Sequence, residues 1–231
     1  MWNRSELKER AKAGVKRNYW KTVFVCLIAG LIAGIFGFAS GTGCGFANAP
    51  KVQPIATEAA AEIPAAFWAV LGVIAALALA FGIFAIIGLV NPFNVGTYKY
   101  SLNAVRGEGN ISDLGSGFDV SYKRNVKVMF FYDLYSLLWT MLFIIPGIIK
   151  IYEYRMIPYI LADNPDLDKK EVFALSKAMM KGNKWRAFVL DLSFILWDFL
   201  SGLTLGFVGV FWVAPYKLLT NAALYDELKQ N

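Results

Sequence analysis

An all-α, polytopic membrane helix bundle is the fold class this sequence predicts, and three observations predict it. Of 231 residues, 57% are hydrophobic and 17% charged, whereas ordinary soluble domains carry about 25% charged residues. The mean hydropathy is +0.48. The apolar residues gather into runs divided by stretches rich in Lys and Arg, and no segment beside them reads as a soluble domain. One membrane domain over residues 1–231 is the economical organisation.

Thr22 to Ala39 and Ala65 to Val90 are uncharged runs, each near or above the roughly 20 residues a spanning helix needs. Between them, Gly41, Gly43, Gly45, Pro50 and Pro54 predict an irregular loop. Val126 to Ile145 is a third span, with Pro146-Gly147 predicted to turn the chain. Ile148 to Ala162 follows, shorter and charged at Lys150, Glu153 and Arg155. Ala187 to Leu203 and Phe207 to Leu219 form the last pair around Thr204-Leu205-Gly206. Gly30, Gly34, Gly37 and Gly41 are spaced for close helix packing, with Ala76 and Ala80 of the second run offering a matching surface.

Basic residues choose six spans over four. With six, outside loops hold at most Lys51 and Lys150 of the 23 basic residues, with both termini in the cytoplasm. With four, Lys150 to Arg186 falls outside with eight, against the positive-inside tendency. A cleaved signal peptide is the rival for the first run, since Gly41-Thr42-Gly43-Cys44 loosely resembles the residues before a lipidated cysteine; the long charged leader counts against it.

Residues 3–21 laid over 168–186 match without a gap at six positions: Glu6, Lys12, Ala13, Lys16, Asn18 and Trp20 meet Glu171, Lys177, Ala178, Lys181, Asn183 and Trp185. Asn3 with Glu6, and Asp168 with Glu171, have capping-box spacing. A weaker copy starts at Ser112, where Gly115 and Gly117 argue against a stable helix, and runs to Asn125. Pro92-Phe93, Pro158-Tyr159 and Pro215-Tyr216 are predicted to close one hairpin each. The expectation is three units, 1–105, 106–165 and 166–231, each an amphipathic helix, an asparagine and a transmembrane hairpin.

Trp2-Asn3-Arg4-Ser5-Glu6-Leu7-Lys8, Asn18-Tyr19-Trp20, Ile145-Pro146-Gly147-Ile148-Ile149-Lys150, Ser176 with Met180-Lys181-Gly182, Leu192-Ser193-Phe194-Ile195-Leu196-Trp197 and Val213-Ala214-Pro215-Tyr216 resemble the bacterial integral membrane family catalogued as domain of unknown function 975. The resemblance runs over nearly the whole chain. It implies a protein of the bacterial cytoplasmic membrane, and implies no catalytic residue.

Charges in apolar spans are costly, so Asp133, Lys150, Glu153, Arg155, Asp191 and Asp198 are the candidate site residues, an intramembrane polar network. Asp191 and Asp198 are seven apart, on one helix face, and Lys150 with Glu153 has the spacing of an intrahelical pair. They line a polar path between the units, or they are ion pairs that hold the bundle together. Histidine is absent and there are two cysteines, so the usual ligands of a zinc or iron site cannot be assembled. A helix would hold Cys26 and Cys44 roughly 27 Å apart, too far for a disulfide. No cofactor and no metal is expected. The net charge of +6 comes from residues flanking the apolar runs, which points to membrane lipids and away from nucleic acid.

A membrane transport or export component is the first functional expectation, motivated by the repeats and the buried charges. A scaffold, assembly factor or lipid-sensing protein with a membrane-protein partner is the second. An enzyme is not expected, because no activated nucleophile, nucleotide loop or metal set accompanies the carboxylates.

Overall fold

The computed structural model describes residues 2–35, 65–119, 121–142, 144–204 and 206–230, and every regular element among them is helical. The expected Gly- and Pro-bearing loop, Cys44, Lys51 and the end of the first run lie outside the described residues. Helix α1 (Arg4–Ile35) carries a non-helical backbone at Asn18, with φ −121° and ψ 28°, which divides an amphipathic first half from an apolar second half. Leu7, Ala11 and Val15 bury one stripe of that first half. The Asn3 Oδ1 accepts the Ser5 amide at 3.1 Å as an N-cap, while Glu6 stays exposed.

Helix α2 (Ala65–Ala85) leads through the π-turn Ile86–Val90 into α3 (Asn91–Arg106) without a break. A 3₁₀ helix, Ile111–Phe118, follows, then α4 (Tyr122–Leu142), α5 (Ile144–Tyr154) and α6 (Ile157–Asp163). The last third holds α7 (Lys169–Met180), α8 (Lys184–Leu192), α9 (Ile195–Leu203), the π-turn Gly209–Val213 and α10 (Ala214–Gln230). The capping box expected at Asp168 is present, with its amide donating to Glu171 Oε2 at 2.8 Å.

The proline-aromatic pairs, expected to close the hairpins, stand near the starts of helices. Pro92, Pro158 and Pro215 are each the second residue of a new helix, α3, α6 and α10. A proline there gives up one backbone hydrogen bond to the preceding turn, and its fixed φ suits the helix that follows. Upstream, the clash with the preceding turn is relieved by a π-turn before Pro92 and Pro215 and by a break at Arg155-Met156 before Pro158. Pro146 likewise lies in the first turn of α5, so Pro146-Gly147 falls inside a helix and not at a turn.

The first half of α1, α3, α6, α7 and α10 pack together into the buried core, around Leu7, Tyr100, Ile160, Met180, Leu219 and Tyr225. The apolar stretches beyond this base carry exposed side chains: Leu77 is 66% exposed, Met141 78%, Leu196 77% and Phe207 70%. Ala76 and Ala80 are also exposed, and Gly37 and Gly41 of the glycine ridge expected against them lie outside the described residues.

The glycines of the 3₁₀ helix have a use that their helix propensity conceals. A Cβ at Gly117 would lie 1.8 Å from the Pro92 carbonyl oxygen, and one at Gly96 would lie 2.1 Å from the Leu114 carbonyl oxygen. Two backbones meet there without side chains between them. Gly117→Ala should therefore cost about 2 kcal/mol of folding stability through overpacking, whereas Gly115→Ala, which meets nothing within 4 Å, should be near neutral. Equilibrium unfolding in detergent followed by tryptophan fluorescence measures both.

Candidate functional site

The six charges singled out from sequence fall into four local clusters. Arg155 stands at the break between α5 and α6, where the chain leaves one helix and starts the next. Its Nη1 donates to Asp191 Oδ2 at 2.6 Å and its Nη2 to Asp191 Oδ1 at 2.7 Å, a bidentate pair linking the α5–α6 break to α8. Nη2 also donates to Asn221 Oδ1 of α10 at 2.7 Å, and the Tyr152 hydroxyl donates to Asp191 Oδ2 at 2.7 Å. Tyr152, Arg155, Asp191 and Asn221 thus form one cluster that joins α5, α8 and α10.

Glu153 is the second centre. Its carboxylate accepts from Lys150 at 3.0 Å, the intrahelical pair the spacing predicts, and from Lys184 at 2.6 Å. The buried Ser176 hydroxyl donates to the Glu153 carbonyl oxygen at 2.8 Å, so α5, α7 and α8 meet at one residue. Lys150 also sits 5.4 Å over the Trp139 ring. Asp133 of α4 accepts from Asn91 Nδ2 at 2.8 Å, at the first residue after the π-turn, and has no ion pair among the described residues. Asp198 of α9 receives Lys217 of α10 at 3.2 Å. Asp191 and Asp198 do not share one continuous face, because the helix is interrupted at Ser193-Phe194 and each turns to a different partner.

A fifth cluster escapes the sequence reading. At the far end of α3, Arg106 donates to Asp163 Oδ1 at 2.8 Å and to Asp226 Oδ1 at 2.6 Å. Lys229 reaches Asp163 Oδ2 at 2.6 Å, the Tyr225 hydroxyl donates to the same oxygen at 3.0 Å, and Arg10 approaches Glu227 at 3.3 Å. The ends of α3, α6 and α10 and the first half of α1 are joined there. Burial pushes the Asp163 carboxyl up, but the hydrogen bonds from Arg106 and Lys229 outweigh it and hold its pKa at about 2, below the ordinary 3.8. Burial also raises the Tyr225 hydroxyl, helped by the Asp163 charge. Nothing in the spacing of Arg106, Asp163 and Asp226 marks them as partners. They become neighbours only when the three helices that begin at the prolines are laid side by side.

The groups other than carboxylates that complete these clusters, Asn91, Tyr152, Lys184, Lys217 and Asn221, are those a search for buried charges passes over. Among the described residues no group of three or more Cys, Asp and Glu could hold a metal ion. Among the described residues each of the six charges singled out from sequence has a polar partner, and most of the contacts link one helix to another.

A family model described as Protein of unknown function (DUF975) matches residues 61–231. No curated protein and no solved structure matches the chain.

Removing one partner of the buried Arg155–Asp191 pair leaves the other uncompensated, so Arg155→Gln should cost about 3 kcal/mol. Asp191→Asn should cost less, since an amide still accepts from Arg155. A double-mutant cycle with the R155Q/D191N protein should show costs that do not add. Acid tests the other cluster. The folded Asp163 carboxyl holds off its proton until about pH 2 while the unfolded one takes it near 3.8, so its contribution is complete above 3.8 and is lost as pH falls toward 2. Asp163→Asn should flatten that part of a stability–pH curve.

Proposed function

We propose that this chain, which belongs to the family of unknown function DUF975, is a multi-pass integral membrane protein of the bacterial cytoplasmic membrane, with six apolar spans anchoring a helical cytoplasmic base. The observation that carries the reading is the segregation of apolar side chains. Large exposed ones concentrate in Phe24–Leu31, Phe67–Leu89, Phe130–Ile151 and Leu192–Trp212, while most of the buried core lies outside those stretches, with Val25, Cys26 and Phe194 as exceptions. Exposed apolar surface on that scale needs a cover, and lipid is the one its length and composition fit. Trp20 and Trp185, 74% and 73% exposed, stand at the heads of two of the runs, where interfacial anchors belong.

By length and composition one unbroken described stretch, Ala80–Arg106, satisfies the requirement for crossing a bilayer. Among the remaining spans in this reading, Ile148–Ala162 and Ala187–Leu203 are interrupted helices. Such breaks are tolerated in lipid when neighbouring groups take up the freed backbone, as the Ser193 hydroxyl does for the Leu190 carbonyl at 2.5 Å. Three units with boundaries at 1–105, 106–165 and 166–231 are supported by the common second-position prolines and by Asn18 and Asn183. Both asparagines have non-helical or marginal backbone, at φ −121° and −104°, where an amphipathic helix meets an apolar one.

Of the two roles, a non-enzymatic scaffold or assembly factor in contact with lipid and a membrane-protein partner is favoured, because the charges of the apolar half are engaged in joining helices. Transport is the second reading, favoured by Asp133 alone, whose carboxylate accepts from an amide and has no ion pair among the described residues. The expected result is that the protein resists alkaline carbonate extraction and that a cysteine at Lys150 is labelled from outside while one at Lys181 is labelled only from inside. Labelling of Lys181 from outside defeats the six-span topology. In proteoliposomes, ion flux lost in Asp133→Asn would favour transport over scaffold.

A further inference from the structure

The first turn of α1 and the start of α8 enclose a cavity of about 500 Å³ lined by Trp2, Asn3, Arg4, Trp185, Arg186 and Val189. Its frame is fixed. Trp2 is 4% exposed, its Nε1 donates to Asn183 Oδ1 at 2.9 Å, and Arg186 Nη2 donates to the Trp2 carbonyl oxygen at 2.9 Å with the guanidinium 4.9 Å over the indole. Arg4 is exposed and makes no hydrogen bond or ion pair with the described residues.

A second observation extends from that mouth along α1. Arg4, Lys8, Lys12 and Lys16 are spaced four apart and run up one flank of the helix, and none has an ion pair among the described residues. The opposite flank behaves otherwise: Arg10 meets Glu227 at 3.3 Å and Arg17 donates to the Ala104 carbonyl oxygen at 3.4 Å. Lys8 lies 4.8 Å over the ring of Phe194, the residue just before α9, so this flank faces the apolar third hairpin. Burial lowers the Lys8 ammonium pKa, and repulsion from Arg4 and Lys12 lowers it further. The chain gathers like charges at the level of the proposed membrane surface, and no described residue forms an ion pair with them.

We propose that this mouth and the cationic flank behind it bind the phosphate headgroup of an anionic glycerophospholipid, with Arg4 and Arg186 on the phosphate oxygens and Trp185 in the headgroup layer. The assignment rests on the membrane reading above. Arginine forks suit phosphate geometry, an indole suits the interface, and unpaired cations are drawn to an anionic leaflet.

The test uses the full chain in neutral detergent, with thermal unfolding followed while phosphatidylglycerol, phosphatidylcholine or inorganic phosphate is titrated in. Phosphatidylglycerol should raise the midpoint and phosphatidylcholine should not. Arg4→Gln, which breaks no bond within the chain, should weaken the apparent affinity about tenfold, and Lys177→Gln on α7 should leave it unchanged. An equal gain with phosphatidylcholine, the full gain with inorganic phosphate, or no loss in both Arg4→Gln and Arg186→Gln overturns the proposal. Carbonate extraction separates this failure from that of the membrane reading: a chain that stays in the membrane without lipid preference refutes the headgroup site alone, whereas an extractable chain refutes both.

Discussion

A proline has no amide hydrogen and cannot follow an undistorted helical turn, and three prolines at 92, 158 and 215 impose that constraint at the same place in three stretches of chain. Each is the second residue of its helix. The preceding backbone accommodates the ring by widening to a π-turn twice and by breaking once. A single residue type thereby resets the course of the helices, and below it α3, α6 and α10 run side by side into the core. Tyr159 then stacks on Tyr225 at 5.8 Å and meets Tyr98 at 4.6 Å, one tyrosine from each of the three helices.

The division between base and apolar half follows from what each side of the prolines is made of. Beneath them the helices alternate buried apolar and paired polar positions, as Tyr100, Leu102 and Ala104 do beside Ser101 and Arg106 in α3. Above them the sequence is apolar nearly all round, as in Ala65–Ala85, and a helix of that kind has no preferred face to bury. Composition alone exposes this contrast, which is why the all-helical class and the apolar runs were legible in the sequence. The stopping points of the helices were less so. Pro146-Gly147 has turn-forming composition, yet Pro146 starts a helix, because the same missing amide that ends one helix is harmless in the first turn of another.

The candidate site divides along a similar line. Lys150 with Glu153 could be read from spacing because both sit on one helix, and helical geometry fixes their separation. Arg155 with Asp191 could be suspected from matching depth. Arg106 with Asp163 and Asp226 could not, since the three come from helices whose mutual arrangement is set by packing. Gly117 belongs with these: helix propensity counts it as a defect, and its reason is a carbonyl oxygen of Pro92 that lies distant in sequence.

A common rule joins the polar contacts that sequence reading found and those it missed. Arg155 to Asp191 and Lys184 to Glu153 join the second proposed unit to the third. Arg106, the first residue of the second unit, joins it to the third through Asp226, and Trp2 to Asn183 and Arg10 to Glu227 join the first to the third. If the units derive from one ancestral hairpin, their apolar faces are near equivalents, and apolar packing alone discriminates weakly between correct and exchanged neighbours. A bidentate arginine accepts one carboxylate in one orientation and leaves a costly orphan in any other arrangement. The charges that look like a pathway when viewed along the sequence therefore act, when viewed across it, as the terms that fix which helix stands beside which. Asp133, bound by an amide and free of that duty, is where a function beyond assembly has room to reside.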